Sequence, residues 1–131
     1  MLPVDQLREF MLHIKAASPR EASGLLLARE YRRFTVLFFV GTSHEENTPS
    51  SFRIRDVVIG RAVASLQGSD VKVCGCGHSH NRGKAIPSND DYAAIKGPCT
   101  LWMIYSVPHR DLKMFSWDGA VFHKERFQII F

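Results

Sequence analysis

The feature that most constrains this chain is the length of its apolar segments, which are all short and are separated by charged residues or turn formers. The longest candidate, Phe34 to Val40, suits a buried strand and falls far short of the roughly 20 residues that cross a bilayer. Asp5, Arg8 and Glu9 lie near the start, where a signal peptide would need an unbroken apolar stretch. We therefore expect a cytoplasmic protein with no membrane partner.

The sequence predicts helices in three places. Apolar residues at spacings of three and four predict one helix over residues 4–16 and another over about 55–67. The inner side of the second helix is expected to carry these side chains: Val57, Val58, Ala62 and Leu66. A short third helix is predicted from Ser88 to about Lys96, because Ser88 and Asp91 form the S-x-x-D pattern of a capping box.

Strand patterns occupy most of the remaining chain. Apolar runs predict a hairpin of residues 24–28 and 34–40, and further strands over residues 71–77, 100–106, 112–117 and 127–131. Loop chemistry marks residues 42–51 and 78–87. With 131 residues, 45% of them hydrophobic and 23% charged, the chain has the profile of one domain. We expect residues 1–131 to form a single α/β domain with a mixed β-sheet flanked by helices.

Charge and cysteine usage exclude some partners and compartments. The net charge is +4, but the 17 basic residues are spread along the chain and form one adjacent pair, Arg32-Arg33. No basic stripe is present, so we expect no nucleic-acid partner. Cys74, Cys76 and Cys99 are an odd number at spacings unlike a disulfide framework, and free thiols persist most easily in a reducing compartment.

A metal-binding pattern lies in the second half of the chain. On a strand, His78 and His80 point to the same side with Cα atoms roughly 6.6 Å apart, which one zinc ion can bridge. Asp91, in the first turn of the third helix, can fold back as a third ligand. Two imidazoles and a carboxylate leave one position open, as in catalytic zinc sites. The alternative is a polar rim in which Ser88 and Asp91 only cap a helix.

The cysteines offer a rival ligand pair. On regular alternation, Cys74 and Cys76 share the strand face of His78 and His80, and a soft ion can prefer a Cys76–His78 pair. Free cysteine is, however, among the most commonly buried residue types, which favours a core position for these thiols.

The segment from His78-Ser79-His80 through Pro87-Ser88 to Asp91 resembles the signature H-[ST]-H-x7-S-x2-D of the JAMM (MPN+) zinc metallopeptidases. The segment Pro19–Leu26 is similar to the family's upstream glutamate strand, with Glu21 as the glutamate. Weaker similarities extend over nearly the whole chain, at Asn47 with Phe52, at Tyr105-Ser106 and at residues 115–119.

The resemblance implies a JAMM/MPN fold, which is cytidine-deaminase-like. It also implies Zn²⁺ held by His78, His80 and Asp91, with Glu21 as the general base and acid and Ser88 as the oxyanion stabiliser. One departure is Asn81, where the family commonly has proline, and we expect it to leave the following loop less rigid. Another is Cys76-Gly77 before His78, where a bulky residue is usual, which bears on the shape of the substrate groove.

The short length makes the chain similar to compact prokaryotic members of that family. The implied activity is hydrolysis of a peptide or isopeptide bond after the C-terminal tail of a ubiquitin-like or sulfur-carrier protein. Two alternatives stay open at this point. One is a noncatalytic MPN-type interaction scaffold, and the other is a zinc peptidase acting on small peptides or cell-wall fragments.

Overall fold

A computed structural model of the chain describes residues 1–93 and 97–131. Within these ranges the helices are α1 (Val4–Ala17), α2 (Asp56–Ser65) and α3 (Asn89–Ala93). The strands are β1 (Leu2–Pro3), β2 (Ser23–Tyr31), β3 (Phe34–Gly41), β4 (Val71–His80), β5 (Leu101–Ser106), β6 (Asp111–Trp117), β7 (Phe122–Glu125) and β8 (Ile129–Ile130). None of the described helices combines the length and the apolar content that a membrane crossing requires.

Six strands form one sheet in the order β3-β2-β4-β5-β6-β7, and β1 pairs with β8 in a separate two-stranded sheet. In the large sheet, β4 and β5 run parallel, whereas the other neighbouring pairs are antiparallel. The predicted α/β domain with a mixed sheet and flanking helices is therefore confirmed.

The sheet separates two apolar clusters. One contains Phe10 and Ile14 of α1, and the other contains Ile59 of α2. Adjacent residues of one strand go to opposite clusters: Leu26 packs with α1, whereas Leu25 packs in the cluster of Ile59. This is the alternation that a strand covered on both faces requires. Helix α1 and the β2–β3 hairpin agree with the predictions.

The buried side of α2 differs from the prediction. Ile59 is buried, whereas Val57 is 50% and Val58 36% exposed. Ala62 and Leu66 pack against the core cluster as expected. Because Ile59 lies three residues before Ala62, a stripe of Ile59, Ala62 and Leu66 satisfies helical spacing as well as the predicted one does.

Strand β4 is longer than predicted and contains a bulge. The predicted loop over residues 78–87 begins only after His80, because β4 pairs with β5 as far as His80 opposite Ser106. Its pairing with β2 shifts between Leu26, opposite Gly75, and Leu27, opposite Val73, so Cys74 is the extra residue. Cys74 consequently packs with the α1 cluster, whereas Cys76 lies in the other cluster. The expectation that both thiols share the histidine face is wrong for Cys74.

Further differences lie toward both ends of the chain, where the short strand β1 was also not predicted. Strand β7 was not predicted, and the strand expected over residues 127–131 is limited to Ile129–Ile130, which pairs with β1. Asp118 and Gly119 lie in the connection between β6 and β7, with Gly119 at φ +101. The third helix begins at Asn89 after Ser88, and residues 94–96 of its predicted span lie outside the described residues.

Candidate metal centre

His78 and His80 lie at the C-terminal end of β4, which pairs with β2 on one side and with β5 on the other. Ser23 of β2 and Ile104 of β5 are the partners of His78, and Ser106 of β5 is the partner of His80. Both histidines are buried, with His78 fully inaccessible. Since pairing on both sides fixes the pleat, the two imidazoles must project from the same face of the sheet.

The side chain of Asp91 folds back onto these two histidines. Its Oδ1 lies 3.0 Å from His78 Nε2, and its Oδ2 lies 2.9 Å from His80 Nε2. The two Nε2 atoms are 3.0 Å apart. All three residues are buried, and their ligand atoms lie within 4.8 Å of one another. The predicted convergence of two imidazoles and one carboxylate is thus present.

The donor set and its spacing fit a divalent metal ion. Zinc–nitrogen bonds of about 2.0–2.1 Å at tetrahedral angles separate two ligand atoms by roughly 3.3 Å. The observed separations of 2.9 to 3.0 Å are within a few tenths of an ångström of that value. His80 Nδ1 donates to the Lys84 carbonyl at 2.8 Å, and a carbonyl can only accept. In the neutral ring of His80 this leaves the lone pair on Nε2, which is the atom that faces His78 and Asp91.

The protonation tendencies of the three groups differ. Burial lowers the pKa of His78, which favours the neutral, ligating ring despite its contact with Asp91. Burial also acts to lower the pKa of His80, but the hydrogen bonds to Asp91 and Lys84 outweigh it and raise the pKa, which favours a proton on Nε2 of the metal-free ring that a bound metal ion would replace. Burial acts to raise the pKa of Asp91, yet hydrogen bonds from both histidines and from the Ser88 amide hold that pKa well below its usual range.

Aromatic packing orients the ring of His78. The Phe52 ring stacks on it with centroids 4.3 Å apart, and Trp102 meets it edge-on at 5.5 Å. Within the described part of the chain, His78 Nδ1 has no hydrogen-bond partner. The orientation of this imidazole is therefore held by ring contacts, whereas that of His80 is held by a backbone carbonyl.

Glu21 lies just before β2 and is buried, with 4% of its surface exposed. Ser23 pairs with His78, and the Ser79 amide donates to the Ala22 carbonyl at 3.1 Å. Continuing this antiparallel register places Glu21 opposite His80 on the same face. Burial raises the pKa of Glu21 to about 8, although the nearby His80 acts to lower it. The structure therefore brings Glu21 beside the metal-binding group.

Ser88 is exposed at the start of α3 and forms the capping box that its sequence predicts. Its backbone N–H donates to Asp91 Oδ2 at 2.8 Å, and the Asp91 amide donates to Ser88 Oγ at 3.2 Å. The same bonds orient the Asp91 carboxylate toward the histidines. Because the hydroxyl accepts in this contact, its own proton is left to donate elsewhere. Capping and a further role of Ser88 are therefore compatible.

The rival thiol is not part of this group. Among the described residues, the group of ligand atoms that converge here contains two histidines and an aspartate and no sulfur. Cys76 lies opposite Leu25 and Trp102 in the core, and burial raises the pKa of its thiol well above the usual value. None of the three cysteines is in a disulfide bond, and Cys76 and Cys99 are buried.

Two contributors escaped prediction from the sequence. Lys84 acts through its backbone carbonyl, for which residue type gives no signal. The side chain of Asn81 donates to the carbonyls of Pro19 and Arg20 at 2.9 Å each, whereas the lower rigidity expected of its loop stays a prediction. The departure from proline was visible in the sequence, but its partners lie about 60 residues away and could not be identified there.

Similarity to known proteins agrees with this fold. A protein from Desulfitobacterium hafniense, solved in solution, superposes with a TM-score of 0.76 at 22% identity, over 99% of this chain and 93% of that one. A JAB1/MPN domain protein from Archaeoglobus fulgidus gives a TM-score of 0.65 at 16% identity, over 98% and 95% of the two chains. A structure described as JAMM, a metalloprotease-like zinc site in the proteasome and signalosome, gives 0.58 at 18% identity, over 98% and 95%.

At these identities the structural likeness shows the fold. No curated protein matches the chain significantly. Residues 3–118 match the family described as prokaryotic homologs of the JAB domain, or Prok-JAB. That match includes Glu21, both histidines, Ser88 and Asp91. The chain therefore belongs to the Prok-JAB family, the prokaryotic homologs of the JAB domain, and it has the fold of the JAB1/MPN domain protein.

Proposed function

We propose that this chain is a zinc-dependent peptidase that cleaves a peptide or isopeptide bond after the C-terminal tail of a ubiquitin-like or sulfur-carrier protein. The observation that carries the proposal is the convergence of His78, His80 and Asp91 within 4.8 Å, beside the buried Glu21. Membership of a family related to JAMM proteins supports the class of hydrolase, and two imidazoles with one carboxylate support zinc.

The residues that would hold the ion are His78 and His80, through Nε2, and Asp91, through its carboxylate. A zinc ion at such a site acts as a Lewis acid that polarises a carbonyl and lowers the pKa of a bound water to about 7. The chain supplies neutral imidazole at His78 and an ionised carboxylate at Asp91, in keeping with the directions of their pKa shifts.

Glu21 is the proposed general base and acid. Its buried carboxylate accepts the proton that the attacking water loses, and then donates that proton to the departing nitrogen. Burial raises the pKa of Glu21 to about 8 in the metal-free protein, and a cation bound beside it would lower that pKa toward the ionised form that a base needs. The exposed Ser88 hydroxyl is proposed to donate to the oxygen that gains negative charge as the carbonyl is attacked.

The proposed substrate class rests on the resemblance to compact prokaryotic JAMM proteins. An extended tail can lie along a sheet edge and present its terminal bond to a site at a strand end, as in β-augmentation. The proposed location is the cytoplasm, supported by three cysteines none of which forms a disulfide bond in the structure.

The test uses a ubiquitin-like or sulfur-carrier protein fused through its C-terminal tail to a reporter. We expect the zinc-loaded protein to release the reporter and a strong chelator to abolish the release. Glu21→Gln should keep one zinc per chain and lose turnover on the order of 10²- to 10⁴-fold, because its amide cannot accept the proton. Undiminished turnover in this variant would remove Glu21 from the mechanism.

The same assay separates the alternatives. A noncatalytic scaffold binds a protein partner without chelator-sensitive release of the reporter. A small-peptide or cell-wall enzyme cleaves short amides as efficiently as it cleaves the folded fusion. The proposed enzyme needs the complete folded protein for efficiency, since remote contacts contribute to transition-state binding.

A further inference from the structure

The segment that carries Glu21 is not part of a regular strand, yet hydrogen bonds from side chains satisfy its backbone carbonyls. The carbonyls of Pro19 and Arg20 both accept from Asn81 Nδ2 at 2.9 Å. The next carbonyl, that of Glu21 itself, accepts from Asn47 Nδ2 at 2.8 Å. Three consecutive carbonyls are thus held by two asparagine side chains, one on each side of the candidate base. Such bonds replace the ladder that a strand would provide.

Ser79 fixes the direction of the Asn81 amide. Its hydroxyl donates to Asn81 Oδ1 at 2.9 Å and accepts from the Ala22 amide at 2.9 Å. With Oδ1 accepting from a hydroxyl, the NH₂ end of Asn81 must point to the two carbonyls. Ser79, which lies between the two candidate histidine ligands in sequence, is fully buried. A continuous chain of hydrogen bonds therefore joins the ligand strand to both sides of Glu21.

We propose that Asn81 is a positioning residue for Glu21, oriented by Ser79. This inference rests on the proposed role of Glu21 as the base. Asn81 follows His80 directly, so one short segment supplies a ligand and the group that fixes the base relative to it. A proton-transfer group must be held within about 0.5 Å of its working position, and a displacement of about 1 Å can reduce turnover on the order of 100-fold.

The experiment uses Asn81→Asp in the full chain. The substitution keeps the shape and the Oδ1 acceptor but removes the Nδ2 donor, and it places a carboxylate against two carbonyls. Gln67→Glu is the matched control, because it makes the same change of amide to carboxylate at an exposed residue beyond α2. Asn81→Ala serves as a neutral second variant if the aspartate variant does not fold.

Three quantities are measured for each protein: zinc content, hydrogen exchange of the Ala22 amide, and kcat with KM on the tail fusion. We expect both Asn81 variants to retain one zinc per chain, to exchange the Ala22 amide about tenfold faster, and to lose kcat on the order of 10- to 100-fold with KM nearly unchanged. The control should match the wild type. The fold loss of kcat in the double variant Ser79→Ala/Asn81→Ala should be smaller than the product of the fold losses in the two single variants.

Wild-type exchange of the Ala22 amide in both Asn81 variants would overturn the inference, as would loss of zinc together with kcat. If the wild type fails to cleave the fusion, the proposed function fails while the exchange measurement still decides whether Asn81 orders the Glu21 segment. Faster exchange with unchanged kcat would show that the contact is structural only, and would also overturn the positioning role.

Discussion

Burial and neighbouring charge compete at the Glu21 carboxyl. Removal from water raises its pKa to about 8, and Asp91 and Asp90 add to this, while His80 opposes it. A carboxyl in this state binds a proton at neutral pH in the metal-free protein. Ionising this carboxyl therefore lowers the free energy of unfolding, apart from any effect on catalysis. The effect can be measured from protein stability without any substrate.

The first prediction concerns the stability of metal-free protein as pH changes. From the usual value of 4.5 up to about 8, folded Glu21 retains a proton that the unfolded chain releases. The folded state binds more protons in this window, so the free energy of unfolding contributed by Glu21 falls as pH rises through it. Glutamine does not titrate, and Glu21→Gln should remove this part of the decline.

Thermal unfolding of both proteins in excess chelator measures the effect. Since the titratable groups His78 and His80 are common to both proteins, the difference between the two Tm curves reports Glu21. We expect Glu21→Gln to gain in Tm relative to the wild type toward the alkaline end. A constant difference over the whole window would show that Glu21 is not buried as described.

Ser88 affects both the stability of the protein, as the cap of α3, and the candidate site, through its hydrogen bonds with Asp91. As the cap of α3, Ser88 should contribute about 1 kcal/mol to stability, which Ser88→Ala would remove. If it also stabilises the developing oxyanion, the same substitution should raise the activation barrier by about 2.7–4 kcal/mol. We expect both losses. Denaturant unfolding and kcat on one variant measure them, and a stability loss with normal kcat would limit Ser88 to capping.

The loop before α2 contributes the ring that covers His78. Because His78 Nδ1 lacks a partner among the described residues, Phe52 is expected to replace the usual hydrogen bond in orienting the imidazole. Phe52→Leu should weaken zinc affinity by about 10-fold, the lower end of the effect of losing an orienting contact. Competition with a chromophoric chelator measures it, and Phe34→Leu at an exposed site of β3 is the control. Equal affinities in the two variants would contradict this role.

Among the helices and strands, hydrophobic periodicity predicted those whose pattern is set by residues close together in sequence. The 4–16 helix, the hairpin and the mixed sheet follow from spacing and turn residues. Helix α2 presents two apolar stripes of similar quality, and packing selects Ile59 over Val57 and Val58. The continuation of β4 through His80 and the bulge at Cys74 depend on pairing with β2 and β5, which sequence periodicity does not contain.

The candidate site shows the same division. His78, His80 and Asp91 were identified by their spacing and by the resemblance, and the fold brings them together. The contacts that orient them were not identified, because each joins residues far apart in sequence or uses backbone atoms. Asn81 reaches Pro19 and Arg20, and His80 reaches the carbonyl of Lys84. Local patterns specify which atoms do chemistry, and tertiary packing specifies what holds them.

For the whole molecule, the order β2-β4-β5 assembles the site from distant parts of the chain. β2 brings the Glu21 segment to one side of β4, whose end carries both histidines. The loop after β4 returns Asp91 to the same face. One metal ion at this junction would bind the β4 end and α3 together, and only the folded chain offers all three ligands.

The most direct test of this account is zinc X-ray absorption on the stoichiometrically loaded protein, with Cys76→Ala measured alongside it. We predict one zinc per chain in both proteins, with nitrogen and oxygen ligands at about 2.0–2.2 Å and identical spectra. A scatterer at about 2.3 Å that disappears in Cys76→Ala would assign sulfur to the site. That result, or failure of the wild-type chain to retain zinc, would contradict a centre built from His78, His80 and Asp91.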